Sequence, residues 1–401
     1  MIDVDKILLI GSFLIFASIT ASSFYKELNI PILLVCFAVS MIAGSYGIEL
    51  SNKEGYDVQY IKTLGSITLC IVLFLGGLET NIDNIKPILY RGIALSTLGV
   101  LLTSVTLGVI INFFTNFDFS TSMLFSSVVA STDAAAVFTI LKSQNLKIKN
   151  TLSSLLEFES GSNDPMAYFL VVSFISFSNK TSQQSIFSCI MLFLQGLILG
   201  LIIGFYMGYC MQSFISKIEL DNKNLYPVFA LSMVMFTYAM TNLINGNGLL
   251  AIYIAGILLG KKDFLLKEQL IWFFNGISWI FQMIMFISIG LLVSADKLKN
   301  DIIEGVMISF FLIFVSRPIS VFISLYKSEF SFKEKIFLSF VGLRGATSIV
   351  FATYPFNIDD FFIPHATKIF NIVFIIVVIS FLFQGFTIPY LAKYLKLEEK
   401  T

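Results

Sequence analysis

The chain has 401 residues, 56% of them apolar and 13% charged, and its 26 basic and 26 acidic residues leave no net charge. Soluble domains carry about 25% charged residues, so this composition excludes an ordinary soluble protein, and the absence of a basic excess gives nucleic acid no footing. Cys36, Cys70, Cys189 and Cys210 stand singly in apolar runs and His365 has no companion ligand, which argues against zinc, haem and disulfide frameworks and leaves no cofactor to expect.

Thirteen apolar runs of about 14–28 residues follow one another, most of them long enough to cross roughly 30 Å of hydrocarbon as helix. They are 7–24, 30–47, 61–79, 92–113, 121–141, 151–177, 186–213, 225–241, 247–260, 270–294, 302–324, 336–354 and 369–392. The first follows Asp3, Asp5 and one lysine. A secretory signal would carry a basic n-region and a small-residue cleavage site, so this run reads as a membrane span. The ninth, Asn247 to Gly260, is the short one. Brief loops rich in Lys, Asn, Asp and Ser join the runs, without a soluble domain or a long linker.

Lysine placement orients the chain. With the N-terminus outside, the cytoplasmic segments hold 17 basic residues, Lys26 and Lys400 among them. The outer segments hold 6: Lys6, Lys53, Lys180, Lys297, Lys299 and Lys368. Lys62, Arg317 and Arg344 lie at or within spans. This split obeys the positive-inside rule over thirteen spans, places the chain in the cell (inner) membrane and sets the C-terminus in the cytoplasm. Dropping the ninth span would invert every later loop.

Three spans depart from lipid-facing helix. The fifth contains Ala130-Ser131-Thr132-Asp133-Ala134-Ala135-Ala136, the sixth Glu159-Ser160-Gly161-Ser162-Asn163-Asp164, and the twelfth Gly342-Leu343-Arg344-Gly345-Ala346-Thr347-Ser348. Arg317-Pro318 lies in the eleventh. Each intramembrane charge costs about 2.5–3.5 kcal/mol even on lenient insertion scales, so such groups face a pathway, an ion or an opposite charge. The fifth and twelfth spans are seven apart and cross the membrane in opposite directions. Two inverted six-span units joined by one linking span produce that relation, and broken helices meeting at mid-membrane are the architecture of many secondary transporters. Small and hydroxyl residues in both spans suit local unwinding, which frees carbonyls for a cation. The expected fold is therefore an all-α polytopic membrane protein with two unwound, crossing helices.

Within the sixth span, Glu159 and Asn163 share one helical face, as do Ser160 and Asp164. Asp164 lies about 7.5 Å further along the axis than Glu159 at roughly 1.5 Å per residue, so the two carboxylates can do different jobs. A carboxylate beside arginine stays ionised, whereas one facing a cavity without a fixed counter-ion can hold a proton. Glu159 reads as the structural partner of Arg317, and Asp164, with no second arginine committed to it, as the group that exchanges a proton for a cation. Asp133 reads either as a helix-end carboxylate or as part of the ion site. Glu79, at the end of the third span, reads as interfacial or as a partner of Arg344. Glu157 reads as solvated.

Together, Ser131-Thr132-Asp133-Ala134-Ala135-Ala136-Val137-Phe138, Glu159-Ser160-Gly161-Ser162-Asn163-Asp164-Pro165-Met166-Ala167 and Val341-Gly342-Leu343-Arg344-Gly345-Ala346 resemble the NhaP-type monovalent cation:proton antiporters, the family of the sodium/proton exchangers. The likeness spans essentially the whole chain and includes Phe74-Leu75-Gly76-Gly77-Leu78-Glu79. It looks closest to the bacterial potassium/proton antiporters of the CvrA type. The resemblance implies a homodimer that exchanges potassium or sodium for protons. Each protomer would have an ion-transporting core at 92–178 plus 302–392 and dimerisation or scaffold helices at 1–91 plus 179–301. It implies Asp164 as the ion- and proton-binding carboxylate, oriented by Asn163, with oxygens from Ser160 and Thr132. Asp133 and Arg344, with Glu79 nearby, would serve the crossover of the unwound helices, and Glu159 would pair with Arg317. An Asn-Asp pair goes with electroneutral one-for-one exchange. Two departures stand out. CvrA-type proteins usually continue into a cytoplasmic regulatory domain, whereas this chain ends nine residues past its last span. Ala346 is followed by Thr347-Ser348 where a Val-Pro pair is common.

Two other functions fit an inverted-repeat membrane fold: a sodium-coupled solute symporter, and an ion channel or sensor. A symporter needs room and polar groups for an organic solute, whereas the oxygen-bearing residues here cluster on the scale of an inorganic ion. A channel would show conductance instead of saturable exchange. The sequence holds no serine–histidine or metal-hydrolase constellation, so an enzyme is not expected.

Overall fold

The computed structural model describes residues 4–24, 32–45, 56–144, 146–178, 186–218, 220–261, 266–292, 295–356 and 365–398. Lys26, Lys53, Lys180, Lys262 and Lys400 of the charge asymmetry lie outside these residues. Helices occupy every one of the predicted runs, and two runs are each broken into a pair. Among the described residues the one departure from helix and loop is an isolated bridge between Ile148 and Glu398.

The helices are α1 (Val4–Phe24), α2 (Ile32–Ser45), α3 (Tyr56–Glu79) and a long rod, α4 (Ile82–Phe114). The broken fifth span is α5 (Phe119–Val128) and α6 (Ala134–Ser143). There follow α7 (Asn150–Ser178), α8 (Ile186–Lys217), α9 (Leu225–Leu243), α10 (Gly248–Gly260) and α11 (Lys267–Leu292). The eleventh span is α12, which starts at Ala295 and runs to Ser324. The twelfth is α13 (Phe332–Phe340) with α14 (Ala346–Ala352), and the last is α15 (Ala366–Tyr394). The fourth span begins ten residues earlier than the apolar run because Asp83 and Lys86, although polar, still lie on helical turns.

Among the described residues, six helices are long and apolar enough to cross a membrane by length and composition: α3, α4, α8, α11, α12 and α15. Helix α7 is not in that set despite its 29 residues, because Glu157, Glu159, Asp164 and its serines make it too polar to face lipid. It lies instead among α4, α5 and α10, where Glu159, Asn163 and Asp164 are buried. The short α10 is apolar all round, as a fully enclosed helix must be, and packs on α3 and α8. Gly77, Gly256 and Gly260 let α3 and α10 approach backbone to backbone, where a Cβ would strike a carbonyl.

The fourth and eleventh spans, seven apart, share an irregularity. Rods α4 and α12 each contain a π-helical turn, at Leu95–Gly99 and Leu312–Ser316. In α12 the cause is local. Pro318 has no N–H for the carbonyl four residues earlier and its ring would strike it, so the turn opens ahead of Arg317. At the start of α13, Ser331 and Glu334 form a capping box, and Lys149 Nζ, just before α7, lies 2.8 Å from Glu334 Oε1. Burial raises the Glu334 carboxyl, but the Lys149 hydrogen bond and the Ser331 donors outweigh it and hold the group below the usual glutamate range.

Candidate functional site

The fifth span stops at Val128 and restarts at Ala134, and the twelfth stops at Phe340 and restarts at Ala346. The two gaps touch directly, since the Asp133 N–H donates to the Leu343 carbonyl at 2.8 Å. Restarting a helix leaves amide donors open, and the Asp133 carboxylate closes one by accepting the Ala136 N–H at 3.1 Å. Gly345 lies against that carboxylate and Gly342 against the Arg317 and Thr132 side chains, so a Cβ at either position would displace those side chains.

Carbonyls freed by the first gap meet Arg344. This residue is 1% exposed, and its Nη1 donates to the Ala130 and Ser131 carbonyls, at 2.7 Å each. Its own N–H donates to Ser380 Oγ at 3.0 Å. Ser380 in turn donates to Gln384, whose amide donates to the Phe340 carbonyl at 2.6 Å. The π turn of α15 at Ser380–Gln384 therefore satisfies backbone groups at the second gap.

Glu159 and Arg317 meet at 2.6 Å, with 1% and 2% of their side chains exposed. Asp164, one turn further along α7, has a different environment. Its carboxylate is buried and accepts two hydroxyl hydrogens, one from Ser131 on Oδ1 and one from Thr347 on Oδ2 at 3.1 Å. Among the described residues no basic side chain lies within ion-pair distance of it.

Asn163 and Ser160 hold α7 to the first gap. Asn163 Nδ2 donates to Thr132 Oγ1 at 2.7 Å and to the Thr132 carbonyl at 3.2 Å, while its Oδ1, 3.2 Å from Ser131 Oγ, shares with Asp164 the one hydrogen of that hydroxyl. Ser160 donates to the same carbonyl and accepts the Ala134 N–H, both at 3.1 Å. Ser131 thus lies between the Asn163 amide and the Asp164 carboxylate.

The match to the sodium/hydrogen exchanger (transmembrane) family model covers residues 13–394. This chain belongs to that family. It is 33% identical to the K(+)/H(+) antiporter NhaP of Alkalimonas amylolytica over 98% of its own length and 67% of the relative's. It is equally similar to the K(+)/H(+) antiporter NhaP2 of Shewanella baltica, over 99% of its length and 68% of the relative's. The solved sodium proton antiporter MjNhaP1 of Methanocaldococcus jannaschii at pH 8 has the same fold, with a TM-score of 0.84 at 20% identity, covering 97% of this chain and 99% of that one.

For three residues of the sequence reading the structure gives the contacts. Glu79 does not reach Arg344: it is exposed and accepts from Asn275 Nδ2 at 3.3 Å, while the buried guanidinium binds backbone carbonyls. Burial explains the difference, because a guanidinium enclosed at the crossing takes the acceptors that unwinding supplies. Asp133 is engaged as a helix cap. Ser160 gives both its donor and an acceptor position to the backbone around the first gap. Two residues escaped the sequence reading as ligands, Ser131 and Thr347. Ser131 could have been found as the hydroxyl beside Thr132. Thr347 lies 183 positions from Asp164 and is brought to it only by the crossing.

Proposed function

We propose that the protein exchanges one monovalent cation, potassium or sodium, for one proton across the inner membrane by alternating access, with Asp164 as the carrier. One observation carries this reading: Asp164 is buried at the crossing of the two gaps and, among the described residues, has no basic partner. Charge bookkeeping over the site supports it. Glu159 and Asp133 balance Arg317 and Arg344, and Asp164 is the fifth charge, which is neutral when it holds either a proton or a cation. In this scheme Asn163 orients Ser131 and Thr132, Ser160 braces the gap, and Arg344 and Asp133 keep the crossing intact. The two relatives at 33% identity are named K(+)/H(+) antiporters, which favours potassium. The protomer would move the core, 92–178 plus 302–392, against scaffold helices that also form a homodimer.

The surroundings of the site support alternating access. One turn beyond Asp164, the Tyr168 and Tyr354 rings meet edge to face at 5.7 Å, and Lys62 Nζ lies 4.5 Å from the Tyr354 centroid. On the other side of the site along α7, Glu157 is exposed, as is Glu79 at the end of α3. With the N-terminus outside, the aromatic cluster closes the outer side and the acidic residues face the cytoplasm.

Two measurements test these assignments. A tag after Thr401 should be cut by protease only from the cytoplasm and one before Met1 only from outside; reactivity on one shared face would refute the topology. In proteoliposomes, the exchange rate should be the same at zero and at a set negative potential, because moving a net charge would add about 2.3 kcal/mol per 100 mV. A rate that changes several-fold with potential would rule out one-for-one exchange. In the same assay, apparent cation affinity should weaken as pH falls, since protonation of Asp164 removes the charge that binds the cation.

A further inference from the structure

The two hydroxyls on Asp164 come from different halves of the molecule. Ser131 belongs to the gap of the fifth span and Thr347 to the first turn of α14, in the inverted second half. We propose that Thr347 is a cation ligand that sets affinity and ion preference, completing the site from the second repeat. The proposal rests on the reading of Asp164 as the carrier. A hydroxyl has one hydrogen to donate and two lone pairs to offer. Facing the bare carboxylate, Thr347 donates its hydrogen to Oδ2. When a cation replaces that hydrogen bond, rotation about the Cβ–Oγ1 bond turns a lone pair toward the ion without moving the backbone. An aliphatic side chain of the same shape offers neither arrangement.

Because Thr347 reaches the carboxylate from across the crossing, the oxygen set is complete only while the two gaps stay in register. An oxygen added to the site serves large ions most. A dehydrated potassium or rubidium ion needs many oxygens to replace its hydration shell, whereas lithium is satisfied by few.

The test uses the full chain in two assays. One is cation-dependent thermal stabilisation of the detergent-solubilised protein by potassium, rubidium, sodium and lithium chlorides against choline chloride. The other is exchange in proteoliposomes. Thr347→Val should raise the half-saturating potassium concentration about tenfold in both, the usual weight of a lost contact to a charged group. Maximal rate should change less, and potassium and rubidium should lose more than lithium. Thr347→Ser should restore wild-type affinity and ion order. Should the valine variant fold poorly, Thr347→Ala carries the same expectation. Wild-type half-saturation and ion order in the valine or alanine variant would overturn the proposal, as would a loss of maximal rate alone or a failure of serine to restore affinity. Asp164→Asn separates the two levels. If that variant loses cation stabilisation, the carrier reading stands whatever Thr347 does. If it keeps it, both fall.

Discussion

Asp164→Asn should reduce cation–proton exchange in proteoliposomes to the leak of protein-free vesicles, while the protein still inserts and purifies. Asparagine keeps the volume and one carbonyl acceptor for Ser131 or Thr347, but it cannot titrate and carries no charge to attract a cation. The same substitution should leave thermal stability in choline chloride unchanged or higher. A buried carboxylate without a basic partner is a cost to the fold, and removing it relieves that cost. Stabilisation by potassium should disappear together with exchange. Exchange at near wild-type rate in the Asp164→Asn variant would refute the carrier assignment and turn attention to Asp133, the next carboxylate at the crossing.

Glu159 and Arg317 should behave in the opposite way, as a pair that supports the fold. Both are almost completely buried and lie 2.6 Å apart. Breaking such a pair costs about 3–5 kcal/mol because the remaining charge is uncompensated, whereas replacing both members can be close to neutral. Arg344 makes the two single substitutions unequal. It lies within electrostatic reach of both residues, attracted by Glu159 and repelled by Arg317. Glu159→Gln leaves two arginines facing each other, so it should lower the melting temperature most. Arg317→Met leaves Glu159 beside Arg344 and should lower it less. The double variant should recover much of the loss of the glutamine variant, giving a strong coupling energy in a double-mutant cycle. Additive losses would show that the pair does not interact and would return Glu159 to the candidates for proton carrier.

Much of this protein is written in its local sequence. Composition and run length determined a multi-span helical membrane protein, because hydrocarbon tolerates few charges and sets the length of a helix that crosses it. The charged residues inside those runs marked the spans that meet at the crossing for the same reason. Spacing along one helix was enough to separate Glu159 from Asp164, and the odd offset between the fifth and twelfth spans was enough to place their breaks in opposite orientations. Tertiary structure decided what periodicity cannot encode. Arg344 could have met Glu79 on charge alone, but the crossing encloses its guanidinium beside the Ala130 and Ser131 carbonyls and leaves Glu79 exposed beside Asn275. Asp133 is equally acidic as a ligand or as a cap, and the direction in which the chain re-enters helix at Ala134 made it a cap. Thr347 is an ordinary hydroxyl in an apolar run until two half-helices, far apart in the chain, bring it to the Asp164 carboxylate. Charge, length and spacing are local properties and can be read from residues in order, whereas the partner of a buried polar group depends on which backbone groups unwinding has left open beside it.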